Sequence, residues 1–354
     1  MNDERPSAGF LMSPKLVLRA LQGLDLPRVP TGSLAVHFCA GFAGYSLREY
    51  TSNARALADS VIRYCERFRP DAVWLSADTW VSAGAMGAAV GATSDDQPFG
   101  GLGPPLVRSA ADVDRIAPPD VGAQGRYPLM LEALSRVVAA LGQETCVVAC
   151  LDQYPFSLAA ALMGINEIMV KSLDDPAFVE ALMARCAEYA VAYGRALAEA
   201  GADLLSGGDS PAGLLGPELY ARLALPFERA VISALKTVGK PVSLHICGNA
   251  TPMLRAMASS GADVLELDHF VDLADACRII GPEITIWGNL DPVGVLARGT
   301  PVQVEEAARK AVAAVNATGH RRFVLSSGCT LAVETPPANL DALSRVARVS
   351  GFTG

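Results

Sequence analysis

Eight short apolar runs alternating with helical periods predict an α/β fold of the (β/α)8 type, a TIM barrel with an N-terminal helical extension. Two further observations favour a closed barrel over a doubly wound sheet. First, Asp78, Asp152, Asp209, His245, Cys247, Glu266, Asp268, Asn289, Asp291 and Cys329 fall at or just after the C-terminal ends of those runs. A barrel gathers such ends at one mouth. Second, His245 and Cys247 share one run while Cys329 follows another far along the chain. An open sheet spreads its strand ends along a crevice and does not easily bring those two together.

Residues 1–33, punctuated by Pro and Gly around one amphipathic piece from Pro14 to Leu24, read as an N-terminal cap, and 34–354 as a single barrel domain. The first strand is expected at Leu34–Cys39. Apolar residues then recur at helical spacing from Ala54 to Phe68, and Pro70 stops the helix. Ala72–Ala77 reads as a strand ending on Asp78, and the Gly-rich passage Gly84–Pro105 as an extended loop over a site. A helix at Leu129–Leu141 leads to strand Thr145–Leu151, and the small apolar residues of Phe156–Met169 suggest a helix packed closely on the barrel. Asp175 caps a long helix that has Pro176 in its first turn and Gly201 just past its end. Strands follow at Asp203–Asp209, Val242–Gly248, Val264–Asp268, Ile284–Asn289 and Phe323–Ser327, with helices at Pro217–Val238, Thr251–Gly261, Leu273–Ile280 and Val302–Ala317 between them.

With 51% hydrophobic residues the chain can fill a large core, and its net charge of −8 with no Lys/Arg cluster excludes a nucleic-acid footprint. Charges, Gly or Pro interrupt every apolar stretch before ~18 residues, so no membrane span is expected. The polar start, Met1–Gly9, lacks a secretory pattern, which predicts a cytoplasmic protein whose eight cysteines stay reduced. No G-x-G-x-x-G, G-x-x-x-x-G-K-[ST] or G-x-S-x-G string occurs, and Gly100–Gly103 follows no convincing strand.

The chemistry concentrates at Val242–Gly248. In an extended strand His245 and Cys247 project from one face, an imidazole and a thiol of the kind zinc prefers. Two ligands do not make a site. Cys329, on the small-residue turn after Phe323–Ser327, is the best third candidate, although residue types alone favour both cysteines being buried small hydrophobes, as most free cysteines are.

Taken with Asp71–Asp78, Pro104–Ser109, Pro155–Leu158 with Gly164, Gly207–Asp209, Pro241–Asn249, Gly288–Pro292, Leu325–Cys329 and Thr335–Asn339, the chain resembles the uroporphyrinogen decarboxylase superfamily. Within it, the resemblance is to the zinc-dependent methylcobalamin:thiol (coenzyme M type) methyltransferases. It implies a (β/α)8 barrel, zinc held by His245, Cys247 and Cys329, and methyl transfer between a corrinoid and a small thiol or methylated substrate. Asp78 matches the decarboxylase aspartate, but the stretch corresponding to the decarboxylases' R-Q-A-G-R segment, His37–Tyr45, contains no arginine. A multiply carboxylated porphyrinogen would meet an acidic mouth. A decarboxylase-like lyase and a non-catalytic tetrapyrrole- or thiol-binding barrel are the rival readings.

Asp78 and Glu266 are the candidate catalytic carboxylates. Glu266 is either a fourth zinc ligand or, like Asp268, a group orienting His245 through its second nitrogen. His37, Asp209, Asp268 and Asn289 are expected to line the funnel, and His320 to lie in a solvated loop. No D-x-H-x-x-G corrinoid-binding string occurs, so methylcobalamin is expected free or on a separate corrinoid protein. A homodimer is the default assembly.

Overall fold

The structure, a computed structural model, describes residues 15–91 and 103–352. Seven strands form one parallel sheet in sequence order: β1 (Ala72–Leu75), β2 (Cys146–Gln153), β3 (Leu204–Gly208), β4 (Ser243–Ile246), β5 (Val264–Leu267), β6 (Thr285–Leu290) and β7 (Phe323–Ser327). Every residue of β1, β4, β5 and β7 is buried, as expected of parallel strands covered on both faces. These seven coincide, within a few residues, with the last seven strands read from the sequence.

The remaining expected strand, Leu34–Cys39, is corrected: the chain there enters a helix, Val36–Ala43. A short apolar run cannot distinguish a buried strand from a buried helix by period alone. Its place in the sheet falls to the preceding residues. Thr31 pairs with Leu325 as an isolated parallel bridge, Gly32 N donates to Leu325 O (3.2 Å) and Leu325 N donates to Pro30 O (2.9 Å). On its other side Thr31 O accepts from Asp71 N (2.9 Å) and Ala72 N (3.1 Å). Pro30–Gly32 therefore lies between β7 and β1, so both edges of the curled sheet bond to one segment. The Trp74 and Trp287 rings meet edge-on at 4.6 Å, and Trp287 Nε1 donates to Gly32 O at 2.7 Å, fixing that segment from within.

Capping residues set the helix boundaries. Asp175 accepts from Phe178 N at the start of Pro176–Glu199, and Thr300 with Gln303 forms a reciprocal cap on Pro301–Asn316. Two expected helices are broken: one at Gly164, between Pro155–Met163 and Ile165–Asp174, the other at Ala224, between Gly216–Leu223 and Leu225–Lys236. Gly164 has φ +99°, outside the helical range. Helix Leu16–Leu21 falls within the expected amphipathic piece, and Pro337–Val349 is a helix not anticipated from the sequence. Of the expected loop Gly84–Pro105, residues 92–102 lie outside the described residues, and its first residues belong to helix Val81–Ala85. His320 is corrected as well: it is buried, with Nε2 3.0 Å from Arg322 O, and burial lowers its pKa. Among the described residues no single helix is long and apolar enough to cross a membrane.

Candidate metal centre

Side-chain alternation along β4 directs Ser243 and His245 to the same side, with Cys247 one step beyond the strand. His245 Nδ1 lies 2.9 Å from the backbone oxygen of Glu266, its register partner on β5. A carbonyl can only accept, so Nδ1 carries the proton and Nε2 is left facing Cys247 Sγ at 2.9 Å. After Cys247 the chain turns away through Gly248, at φ +81°, whose N–H donates to Asp268 Oδ2 at 2.8 Å. Few residues other than glycine tolerate that backbone.

Cys329 arrives from β7 over Gly328. A Cβ on Gly328 would stand 2.5 Å from His269 N, so only glycine lets the end of β7 approach the turn after β5 this closely. Cys329 Sγ thereby comes to 3.5 Å from Cys247 Sγ, and the potential ligand atoms of His245, Cys247 and Cys329 all lie within 4.8 Å of one another.

The electrostatics follow from this crowding. The Cys329 hydrogen bond, outweighing burial and joined by His245, lowers the Cys247 pKa to about 4, while the same bond and burial push Cys329 up. Burial works to lower His245, but the bond to Cys247 and its charge prevail and raise it to about 9. Crowding thus favours the thiolate at Cys247 and disfavours it at Cys329. A divalent cation displaces thiol protons on binding. A tetrahedral zinc ion places two ligand sulfurs ~3.8 Å apart and a nitrogen and sulfur ~3.6 Å apart; the 3.5 Å between the sulfurs is close to the first, and the 2.9 Å between His245 and Cys247 would open to reach the second. The donors, one imidazole and two thiols, are those that zinc selects over hard cations. The residues fit the metal.

The other expected site residues are distributed around this trio. The Glu266 carboxylate stands outside it, accepting from Ser206 Oγ (2.7 Å) and from Ser243 Oγ, and burial raises its pKa. It is the Glu266 carbonyl, not its carboxylate, that orients the histidine. Asp268 holds the Gly248 N–H and stands 2.7 Å from His269 Nδ1. Asn289 Nδ2 donates to the carbonyls of Asp268 (3.0 Å) and Val271 (2.7 Å), securing the turn that carries Asp268. His37 comes from a helix rather than a strand, yet its Nε2 lies 3.0 Å from Ala77 O, at the end of β1. Asp209 is fully buried and turns away from the mouth: Oδ1 accepts from Ser157 N (2.7 Å) and Oγ (2.6 Å). Burial raises its pKa to about 6, with Glu228 beside it raised further.

Of these, His37, Glu266 and the trio line a cavity of about 490 Å³ whose wall also includes Trp74, Asp78, Asp152 and Ser206, whereas Asp209, Asp268 and Asn289, expected to line it, are not on that wall. At its far side Asp78 is clamped by both terminal nitrogens of Arg126, through Nη2–Oδ1 at 2.8 Å and an Nη1–Oδ2 contact. Asp152, with φ +78°, accepts from Ser82 N at 2.7 Å, and burial raises its pKa to about 7. Arg126, Ser206 and Ser243 escaped the sequence reading. Arg126 precedes the helix Tyr127–Leu141 and adjoins no strand, so nothing local marks it, whereas the serines were visible as small polar residues inside strands β3 and β4.

The model of the uroporphyrinogen decarboxylase (URO-D) family matches residues 12–349. A methylcobamide:CoM methyltransferase of Methanosarcina acetivorans is 33% identical over 245 residues, 69% of this chain and 69% of that one. A uroporphyrinogen decarboxylase of Prochlorococcus marinus is 28% identical over 342 residues, 92% of this chain and 94% of its own length. Among solved structures, a methyltransferase from Methanosarcina mazei superposes with a TM-score of 0.84 at 26% identity, covering 94% of this chain and 97% of the other.

Proposed function

We propose, from the premise that the chain belongs to the uroporphyrinogen decarboxylase family, that His245, Cys247 and Cys329 hold a catalytic zinc ion with one position open to substrate. The chain is a corrinoid-dependent methyltransferase. The observation that carries the metal reading is the one-nitrogen, two-sulfur trio on the wall of the cavity. Zinc bound there supplies Lewis-acid lowering of a thiol's pKa at neutral pH.

The chain's own residues do the rest. His245 presents Nε2 because Glu266 O holds Nδ1, and Asp268 keeps the backbone after Cys247 in place through Gly248. In transfer to a thiol, the sulfur–carbon bond forms as the cobalt–carbon bond breaks, cobalt keeps the electron pair, and the thiol proton leaves to solvent. Asp78 and Glu266, with Asp152, are the cavity's carboxylates, and His37 lies on the same wall. The corrinoid is supplied at the mouth by a separate protein or free as methylcobalamin, and the eight free thiols suit a reducing, cytoplasmic setting.

Two measurements test this. Metal analysis of chelator-free protein is expected to find one zinc per chain, and absence of stoichiometric zinc refutes the metal site. Methylcobalamin is expected to lose its methyl group to a small thiol in the presence of the protein. Release of carbon dioxide from uroporphyrinogen instead establishes the lyase.

A further inference from the structure

Beside the cavity that holds the metal trio lies a second, of about 420 Å³, and the two share three wall residues, Gln153, Ser157 and Pro211. Their chemistry differs. The first is walled by carboxylates, imidazoles and thiols, whereas among the described residues that line the second none is charged. Its polar side chains, Gln153 and Ser157, both stand at the shared boundary, and each spends a donor elsewhere: Gln153 Nε2 on Thr79 O, Ser157 Oγ on Asp209 Oδ1. Beyond that boundary the walls are apolar and mostly small. Helix Pro155–Met163 presents Ser157, Ala160 and Ala161 on one face through their three- and four-residue spacing. Trp80, Ala89 and Leu106 belong to other walls. Asp209 holds both the N–H and the hydroxyl of Ser157, which fixes the start of that helix and with it one side of the passage. The passage begins next to a ligand: Ser210 Oγ accepts from Cys247 N at 3.4 Å, and Pro211 is the following residue.

Resting on the methyl-transfer reading, we infer that the second cavity is a substrate subsite: the thiol that accepts the methyl group, or the methylated compound that donates it, carries an alkyl or aryl group that passes Pro211 and Ser157 and lodges against Ala161 and Trp80. The room is ample, since a cavity of ~150 Å³ already takes a benzene-sized group. Covering apolar walls is favourable in proportion to the area removed from water. The same group gains little among the polar side chains of the first cavity, so the division orients the substrate, with sulfur at the metal trio and hydrocarbon beyond Pro211.

The test titrates zinc-loaded, full-length protein calorimetrically with ethanethiol, 1-butanethiol and 1-hexanethiol, a series of equal acidity in which only the hydrocarbon grows. Affinity is expected to rise along the series, by about tenfold or more from ethanethiol to 1-hexanethiol. Equal affinity, or a fall with length, overturns the inference. Ala161→Trp fills the second cavity and is expected to remove most of the rise. If that variant does not fold, Ala89→Trp, which replaces an exposed wall residue, is expected to do the same. A rise that persists unchanged in the variant that folds comes from another surface and overturns the inference. So does a raised KM for methylcobalamin in that variant with the thiol series unaltered, because the cavity then receives the corrinoid. Methylcobalamin turnover is measured separately on the same samples. If no thiol is methylated while the graded binding and its loss in the variant hold, the methyl-transfer reading fails and the apolar subsite stands.

Discussion

At the ends of β4 and β7, Cys247 and Cys329 meet with sulfurs 3.5 Å apart and His245 beside them. Across the cavity, at the end of β1, Asp78 meets Arg126 through a two-pronged ion pair. Both places concentrate acidic groups in buried surroundings. In the first, no lysine or arginine lines the cavity among the described residues, and the groups contact one another. In the second, a guanidinium neutralises the carboxylate permanently. A group that finds its counter-charge within the chain is secured by it, whereas the trio is left with the donors that the proposed metal ion would take.

The largest expected effect sits on the open side. Replacing Cys247 and Cys329 by serine together removes two soft ligands and should lower zinc affinity by more than about a hundredfold. Metal content after dialysis against a weak chelator reads this, and retention of full zinc would erase the contrast. On the balanced side, Arg126→Ala strands the Asp78 carboxylate and should cost about 3–5 kcal/mol of stability. Denaturant titration measures it, zinc content should not change, and adding Asp78→Asn should restore much of the loss.

A smaller effect is expected for Asp268→Ala, which frees the Gly248 N–H beside a ligand. Loss of such an outer support weakens metal binding by about tenfold to a hundredfold, readable by competition with a chromogenic chelator. Its stability should fall less than that of Arg126→Ala.

The smallest effect concerns Asp209, an acid balanced by neither metal nor arginine. Burial raises its pKa from 3.8 to about 6, so between those values the native state binds a proton that the unfolded chain releases. Its contribution to stability is therefore complete below about pH 3.8 and lost as pH rises to about 6. Asp209→Asn keeps an acceptor for Ser157 and cannot ionise. Relative to the parent, it should become more stable as pH is raised from 4 to 7, as followed by urea midpoints. An unchanged difference across that range would show that Asp209 does not titrate there.

Much of this was legible in the chain. The seven strands from Ala72 onward declared themselves by apolar runs, and Asp175 with Pro176 and Gly201 bounded the long helix because capping acts over a few residues. Part of the trio was legible too: a thiol and an imidazole two apart in a strand share a face whatever the rest of the fold does, and Cys329, expected beside them, lies there.

What local pattern determined, then, is where strands and helices form and which of them carry chemistry, since backbone periodicity and capping operate within a turn or two. Tertiary structure alone decided the pairings. It replaced the expected strand Leu34–Cys39 with Pro30–Gly32 at the sheet edge, because only the closing of β7 toward β1 selects which backbone is in reach. It assigned Arg126 to Asp78 across 48 positions, gave the orienting of His245 to a carbonyl of Glu266 rather than its carboxylate, and turned Asp209 inward. Such partners are chosen by which side chains packing brings within hydrogen-bond distance, and no spacing along the chain records that distance.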